Sequence, residues 1–490
     1  MSRTFRDHVI MGGLGNKGSL LVQGFLALGT KVIVIEKNAA NLQVETCRRN
    51  GAVVVIGDFT DPAILNQAGV HRAGMVIAVS GNDRANAEMA VRVNALCAER
   101  KGNPLKCIIH IVDSALWDLL QERQFSGQFF ENVRLEMFNV YLYGARILVE
   151  DFVLSGVSGR FPTFPRHVLI VGMDKLGSNL VVETAREWFY RRENAKARIR
   201  MTLIDRGAEE VHALINARYP GLSSSADITA LNMSVNSPEF IRGEHLIDVD
   251  GVADIDIALI CLDEPSEALF TGLTLRRRLP EQTTPIIMRV SEESGMADLI
   301  RGRADRDGLV SIQPFGLLER TCTPELVFRG THEALAFALH EEYFRLRGRF
   351  RNSDRKDISN RPWESLPESV REANRRQVDL IGGYLEAIGC ELSVLWDWTE
   401  EVLQFSRSEV ESLSKMKHER WCDEKIDQGW KYSPGRQDPN ARLHPALLPW
   451  NDLPETRRER NRVVIRQLPK FLARAGLKVS RLGSNDQTSG

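Results

Sequence analysis

Residues 8–29 have the sequence HVIMGGLGNKGSLLVQGFLALG, and this stretch decides the fold of the N-terminal part of the chain. An apolar run ends at Met11, several glycines follow, and apolar residues at helical spacing come next. Glycine permits positive φ angles and close backbone approaches that other residues do not. The stretch therefore predicts a buried strand, a tight turn and a helix in direct succession.

Strand patterns continue to alternate with helical patterns after this unit. The segments that carry them are KVIVIE, AVVVIGDFTD, GMVIAVSGNDRANAEMAVRVNALC and KCIIHIV. Strands that alternate with helices form a parallel sheet covered on both faces. The sequence predicts a Rossmann domain over residues 1–158, with its strands finished near Ser114.

The same order of segments then recurs. RHVLIVGMDKLGSNLVVETA matches the opening unit, and RMTLIDRGA matches KVIVIEKNA. DIALICLDEPSEALFTGLTL matches MVIAVSGNDRANAEMAVRV, and PIIMRVSEESGMADLI matches CIIHIVDSALWDLL. Several matched elements are stronger evidence of a repeat than one motif. We therefore expect a second Rossmann domain over residues 166–323, and GRFPTFPRH at residues 159–167 is the predicted linker.

Beyond about residue 325 the strand patterns stop, and the composition shifts to helix formers, Trp, Arg and Glu. RPWESLPESVREANRRQVDLIGGYLEAIG aligns with LPWNDLPETRRERNRVVIRQLPKFLARAG, which pairs Trp363 with Trp450 and Gly389 with Gly476. HEEY at residues 340–343 similarly resembles HERW at residues 418–421. These repeats predict a mainly α-helical domain of two related halves over residues 324–482, followed by a polar tail at 483–490.

The composition limits the partners. Among the 490 residues, 64 Lys and Arg nearly cancel 65 Asp and Glu, so no overall field favours nucleic acid or an anionic membrane. Seven cysteines form no CxxC pair, which predicts reduced thiols in the cytosol. We expect neither a signal peptide nor a membrane span, since the sequence has no run of about 18 apolar residues.

The glycines of the first turn predict a dinucleotide site. Gly13, Gly15 and Gly18 form GxGxxG after a strand, and together with Leu14 and Asn16 their backbone would face a diphosphate at the helix N-terminus. Glu36, followed by Lys37, ends the next strand, where a carboxylate accepts ribose hydroxyls and disfavours a 2′-phosphate. NAD, or another adenine nucleotide, is therefore the expected ligand. The alternative is a glycine turn in an empty Rossmann domain.

GDFTDPAILNQAGVHRAGMVIAVSGNDRANAEMAVRV, at residues 57–93, resembles the TrkA-N (RCK N-terminal) domain of potassium-transport regulators, whose hallmark is GD-x-T-D-P. The resemblance covers about residues 6–150 and, more weakly, 165–330. It implies that Asp58 and Phe59 lie near the adenine, and that Ser80 and Asn82 line the ribose and phosphate groove.

The second copy departs from this pattern at Asp174, which replaces the middle glycine between Gly172 and Gly177. A negative side chain there should repel a diphosphate. We expect a structural second domain without a ligand that pairs with the first.

HERWCDEKIDQGWKYSPGRQDPNARLHPALLPWNDLP, at residues 418–454, is similar to the ryanodine-receptor repeat, or RyR domain, over about residues 410–476. The resemblance implies a sensor of nucleotide-like ligands. On physical grounds, aromatic side chains of the paired halves could stack on a purine and arginines could hold a phosphate. The alternative places the tryptophans in the core and the histidines in the core or on the surface. The candidate residues are Tyr343, Trp363, Asn374, Arg375, His418, Trp421, Trp430, Trp450 and Arg462.

No catalytic or metal-binding residues are predicted. HERW is not the HExxH zinc motif, and G-x-S-x-G does not occur. We therefore expect a non-catalytic sensor that relays nucleotide binding to a partner such as a cation channel. A nucleotide-messenger receptor in anti-phage defence and an NAD-dependent oxidoreductase remain alternatives.

An apolar helical pattern at residues 137–152 has two interpretations. It could form the seam of a homodimer, as crossover helices do in RCK-like domains, or pack within its own chain.

Overall fold

The computed structural model forms two compact units. The first contains residues 1–117, 131–328 and 396–400, and the second contains residues 118–130, 329–395 and 401–490. The structure describes residues 5–100, 104–125, 133–154, 166–192, 196–243, 246, 254–279, 284–291, 295, 312–327, 335, 336, 340, 365–435, 437, 438, 440–474 and 476–482. The predicted tail at 483–490 and most of the predicted linker at 159–167 lie outside these residues. No helix in the described part of the chain is long and apolar enough to cross a membrane.

The first Rossmann fold is a parallel sheet with the order β3-β2-β1-β4-β5-β6. Its strands are β1 (Val9–Gly12), β2 (Val32–Glu36), β3 (Val53–Ile56), β4 (Met75–Ala78), β5 (Leu105–His110) and β6 (Val133–Phe138). The helices are α1 (Asn16–Ala27), α2 (Gln43–Arg49), α3 (Pro62–Gln67), α4 (Asp83–Leu96) and α6 (Val140–Leu148). Helix α5 (Ser114–Phe125) follows β5 along the chain, and its residues from 118 onward belong to the second unit. A sheet covered on both faces buries whole strands, as in β1, β2 and β4.

The sixth strand corrects two sequence-based expectations. The strands do not finish near Ser114, because β6 pairs with β5 along its whole length. Met137 and Phe138 belong to this strand and not to the helix predicted from residue 137. The helix begins at Val140 because the Asn139 side chain accepts hydrogen bonds from the backbone N–H groups of Tyr141 and Leu142, at 2.9 and 3.2 Å.

The second Rossmann fold repeats this topology, with the order β12-β11-β10-β7-β8-β9. Its strands are β7 (His167–Val171), β8 (Ile199–Asp205), β9 (Ala226–Asn232), β10 (Ile257–Ile260), β11 (Ile286–Arg289) and β12 (Ile312–Phe315). The helices are α7 (Lys175–Arg191), α8 (Ala208–Arg218), α9 (Leu222–Ser225), α10 (Pro238–Arg242), α11 (Pro265–Arg278), α12 (Leu317–Thr321) and α13 (Pro324–Val327). The two parallel sheets confirm the predicted pair of Rossmann folds.

Helix α6 packs within its own chain against α7 and α12. Gly144 allows this approach, because a Cβ at that position would lie 2.3 Å from Cδ1 of Leu317. Glu183 of α7 is buried and forms an ion pair with Arg186 of the same helix. It forms a second ion pair with Arg146 of α6, across the contact between the two helices. Burial alone would raise the pKa of Glu183, but the two guanidinium groups outweigh burial and hold it below its usual value.

Residues 396–400 pack against the second Rossmann fold. Trp398 is buried, and its indole N–H donates to the Ser225 hydroxyl at 2.9 Å. The guanidinium of Arg218 lies 4.4 Å from the centroid of the Trp396 ring. These contacts join chain segments far apart in sequence, and no sequence pattern predicted them.

The second unit is mainly helical. Its helices are α14 (Glu368–Asp379), α15 (Ile381–Glu386), α16 (Arg407–Asp427) and α17 (Glu455–Arg474), and its short strands are β13 (Cys390–Val394), β14 (Lys431–Tyr432), β15 (Leu443–His444) and β16 (Leu477–Arg481). The strands correct the expectation that strands stop near residue 325.

The antiparallel pair β13 and β16 relates the two repeats. Leu392 pairs with Val479, and these two residues occupy equivalent positions of the sequence repeat. Gly389 and Gly476 have φ angles of 69° and 82°, and each precedes its strand. Asn374 and Asn461 each donate to the carbonyl four residues earlier, at 3.0 and 3.2 Å. The aligned segments are therefore also alike in local structure.

We predict that Glu183→Gln lowers the free energy of unfolding by about 3 kcal/mol, because it leaves the guanidinium groups of Arg146 and Arg186, between α6 and α7, without their carboxylate. Glu187→Gln is the matched control, since its ion pair with Arg191 is exposed and should contribute less than about 1 kcal/mol. Urea-induced unfolding measures both, and equal effects would contradict a stabilising role for the buried pair.

Candidate nucleotide-binding site

A cavity of about 680 Å³ lies at the carboxyl ends of the central strands of the first fold. Ligands bind at this edge of open α/β sheets, and the volume is in the usual range for small-molecule sites. Every predicted site residue of this fold except Gly18 lines the cavity. The lining residues are Gly13, Leu14, Gly15, Asn16, Lys17, Glu36, Lys37, Asn41, Asp58, Phe59, Val79, Ser80, Gly81, Asn82, Ala85, Val140, Tyr141, Arg289, Leu317 and Leu318.

The three glycines of the loop differ in their surroundings. Gly13 has a φ of 96°, which disfavours any side chain. A Cβ on Gly15 would meet no atom of the described chain within 4 Å, so open space faces this residue at the N-terminus of α1. A Cβ on Gly18 would lie 2.1 Å from the carbonyl oxygen of Gly13, so Gly18 is required for packing and does not line the cavity.

Glu36 ends β2 with its carboxylate directed at the loop. It accepts hydrogen bonds from the backbone N–H groups of Leu14 and Asn38, both at 2.8 Å. Each carboxylate oxygen has a second lone pair for a ligand hydroxyl. The carboxylate is therefore held beside the turn, where the sequence predicted a ribose-binding acid.

Asp58 and Phe59 follow β3 on the same edge. Hydrogen bonds from the backbone and hydroxyl of Thr60 hold the pKa of Asp58 below its usual value, and Lys37 adds an exposed ion pair at 3.1 Å. The buried ring of Phe59 packs on Gly12, whose added Cβ would lie 3.0 Å from it. The resemblance placed these two residues near the adenine, and the structure places them in the cavity wall.

Ser80 and Asn82 lie between β4 and α4. The Ser80 hydroxyl donates to Asn86 at 2.7 Å, and Asn86 in turn donates to the carbonyl of His110. Asn82 caps α4 by accepting from the backbone N–H of Ala85 at 3.1 Å. Both side chains are thus fixed by neighbours while they line the cavity.

Sequence reasoning missed several lining residues. Lys17 lies inside the glycine motif, and burial lowers the pKa of its ammonium group. Its position in the first turn of α1 could have identified it. Tyr141 of α6 and Arg289 of β11 come from distant parts of the sequence, and no local pattern indicated them.

The equivalent turn of the second fold is filled by its own side chain. Asp174 accepts hydrogen bonds from the backbone N–H groups of Leu176 and Gly177, at 3.0 and 3.2 Å, and pairs with Arg289 at 3.0 Å. Burial raises the pKa of Asp174. Asp205 accepts from the N–H of Met173 at 2.9 Å, as Glu36 does from Leu14. A carboxylate therefore satisfies the amides that a diphosphate would use.

Four of the candidates that the structure describes, His418, Trp421, Trp430 and Trp450, lie in one cluster with His444. Buried His418 stacks on Trp421 with ring centroids 5.7 Å apart, and its Nε2 lies 2.8 Å from the carbonyl oxygen of Leu448. Trp421 and Trp430 both contact the ring of His444, at centroid distances of 4.8 and 6.2 Å. Trp421 and Trp430 are partly exposed, whereas Trp450 is buried.

Carboxylates surround the arginine candidate Arg462. Its guanidinium binds Glu411 at 2.6 Å, as well as Glu455 and Glu459. Hydrogen bonds to Glu411 and Glu455 raise the pKa of Arg462. Trp450 donates to the same Glu411 at 2.8 Å. Arg375 lies on α14, while Tyr343 and Trp363 lie outside the described residues.

Residues 9–124 match the TrkA-N domain model. Residues 402–481 match the RyR domain model. The matches confirm the resemblances of the first Rossmann domain and of the C-terminal region, whereas the weaker TrkA-N resemblance over residues 165–330 stays an expectation. One curated relative, an uncharacterized protein of Methanothermus fervidus, is 28% identical over 93 residues, which is 19% of this chain and 15% of that protein.

Several solved structures are similar to the chain. GsuK bound to ADP is 15% identical with a TM-score of 0.41, over 66% of this chain and 69% of that chain. The GsuK channel bound to NAD is 13% identical with a TM-score of 0.42, over 66% and 64%. The human SLO3 gating ring is 8% identical with a TM-score of 0.40, over 64% and 82%.

We predict that Gly18→Ala destabilises the protein by about 1–3 kcal/mol, because the new methyl group would overlap a backbone carbonyl that cannot move freely. Gly15→Ala, which faces open space with an ordinary φ of −76°, should change stability by less than about 0.5 kcal/mol. Urea-induced unfolding compares the two variants. A shared unfolding midpoint would show that the packing role assigned to Gly18 is wrong.

Proposed function

We propose that the protein is a non-catalytic regulatory protein that binds NAD, or another adenine nucleotide, in the cavity of the first Rossmann fold. The observation that carries this proposal is the open space at Gly15, where the N-terminus of α1 lies beside the buried carboxylate of Glu36. The TrkA-N match over residues 9–124 supports the same site.

The lining residues suggest a role for each part of the ligand. Backbone amides at Gly15 would bind the diphosphate, and Glu36 would accept the ribose hydroxyls. A 2′-phosphate would meet that carboxylate, so we expect NAD to bind more tightly than NADP. We place the adenine near Asp58 and Phe59, and the ribose and phosphate groove along Ser80 and Asn82.

The position of the cavity suggests how binding could regulate. Its wall includes Tyr141 of α6 and Arg289 of the second fold, so a ligand there would contact both Rossmann folds. A ligand that binds one conformation more tightly shifts the population toward it. We infer that a homodimer in the cytosol passes this shift to a partner, either a separately encoded membrane channel or a defence protein.

Gly15→Asp is expected to abolish NAD binding, because it would copy the arrangement at Asp174, where a carboxylate fills the helix N-terminus. Gly207→Asp, at the open start of α8 with a φ of −119°, is the matched control and should bind NAD like the parent. Calorimetry with NAD, ADP-ribose and ATP measures the change.

Equal binding by the parent and Gly15→Asp, or binding of none of these nucleotides by either, would overturn the proposal. Mass spectrometry of small molecules released from the heat-denatured protein would identify the natural ligand. A change in absorbance on incubation with NAD would instead favour the oxidoreductase alternative.

A second ligand site is proposed in the part that matches the RyR domain. The partly exposed rings of Trp421 and Trp430 flank His444, and Lys425 lies 4.8 Å from the centroid of the Trp430 ring. Aromatic rings beside a cation favour a stacked, anionic nucleotide. This arrangement of aromatic rings and a cation favours the alternative function, a receptor for a nucleotide messenger in anti-phage defence.

In the full chain carrying Gly15→Asp, we expect calorimetry to detect remaining binding of an adenine nucleotide, with ADP-ribose and ATP as probes. Trp430→Ala should weaken it about 10-fold through loss of stacking. Tyr432→Ala, at a residue 48% exposed on the adjacent strand, should leave it unchanged. The second site is rejected if the Gly15→Asp chain binds neither probe, or if both aromatic variants bind alike.

A further inference from the structure

We propose that Arg289, which belongs to the second Rossmann fold, is a phosphate-binding residue of the cavity in the first fold. Asp174 and Asp263 hold its guanidinium group. The inference rests on the proposed nucleotide site and adds a specific residue and a ligand class to it. The class is a nucleotide with at least a diphosphate.

The position of Arg289 follows from the topology of the second sheet. It is the last residue of β11, between Asp174 at the start of α7 and Asp263 after β10. Its side chain is 19% exposed, and it lines the same cavity as Gly13 and Gly15. A residue of the second fold therefore contributes a positive charge to the cavity of the first.

The contacts of Arg289 leave donors for a ligand. Nη1 donates to Asp174 at 3.0 Å, pairs with Asp263 and lies 3.5 Å from the carbonyl oxygen of Cys261. The guanidinium carbon lies 5.8 Å from the centroid of the Tyr141 ring, which is also part of the cavity wall. A guanidinium group has five N–H donors and binds phosphate oxygens in bidentate fashion, so it can add a phosphate partner.

Asp174 links Arg289 to the turn of the second fold. Its carboxylate already satisfies two amides of its own helix and also forms the ion pair with Arg289. A phosphate in the first fold would compete with that carboxylate for the same guanidinium. The Asp174 carboxylate thereby acts as a counter-charge, and its ion pair with Arg289 would weaken when a phosphate binds in the cavity of the first fold.

The experiment measures binding of adenosine, ADP and NAD to the full chain by calorimetry. Arg289→Gln should lower the affinity for ADP and NAD by about 10- to 100-fold, as expected for loss of a charge-assisted hydrogen bond, and leave the affinity for adenosine unchanged. Arg289→Lys keeps the charge without the planar fork and should fall between the parent and Arg289→Gln. Arg198→Gln is the control, because it removes an arginine from an exposed pair with Asp227 and should bind like the parent.

Asp174→Asn tests the competition directly. Asparagine keeps the helix cap but removes one of the two carboxylate charges that hold Arg289, so ADP should bind about two- to fivefold more tightly. The gain should vanish in the Asp174→Asn, Arg289→Gln double variant.

The results separate the two proposals. Parent protein that binds none of the three probes would reject the nucleotide site itself. The role of Arg289 is rejected if the parent binds ADP but Arg289→Gln and Arg289→Lys match it. It is also rejected if the variants lose as much affinity for adenosine as for ADP. A third result that rejects it is that the higher ADP affinity of Asp174→Asn persists in the double variant.

Discussion

The first unit depends on a close backbone contact that occurs in both turns, between the last glycine of the turn and the carbonyl of the first. A Cβ would lie 2.1 Å from that oxygen at Gly18 and 2.0 Å from it at Gly177. The contact places the start of a helix directly at the end of the first strand of each fold. Because two turns with this geometry recur, the two sheets share a topology even where their chemistry differs.

That difference is concentrated in one residue of each turn. Gly15 leaves space at the start of α1, whereas Asp174 fills the same place with a carboxylate that its own helix amides bind. The carboxylates that end β2 and β8, Glu36 and Asp205, are nonetheless held in the same way by the backbone. The second fold thus keeps the geometry of a nucleotide site and fills its anion position.

The second unit shows how a repeat can be preserved in structure after its side chains diverge. Equivalent residues Leu392 and Val479 face each other in the antiparallel pair, as expected when two repeats are related by a local twofold axis. Around Arg462, however, three carboxylates occupy the space where the sequence suggested a phosphate. An anionic ligand there would have to compete with them, whereas a cation, Lys425, lies beside the partly exposed ring of Trp430.

The sequence by itself determined the features that depend on neighbours along the chain. Apolar runs, glycines at a turn and the acid that ends β2 are local patterns, so both Rossmann folds, most of their strands and most of the cavity residues between Gly13 and Asn82 could be predicted. Only the tertiary structure decided which distant side chains share the cavity. Arg289 reaches the cavity because the carboxyl ends of parallel strands lie at one edge of a sheet, and Tyr141 reaches it because α6 packs against α7 of the second fold. Neither arrangement can be read from the residues next to Tyr141 or Arg289 in the sequence. The edge strand β6 was missed for a related reason, because its role follows from pairing with β5 and not from its own pattern.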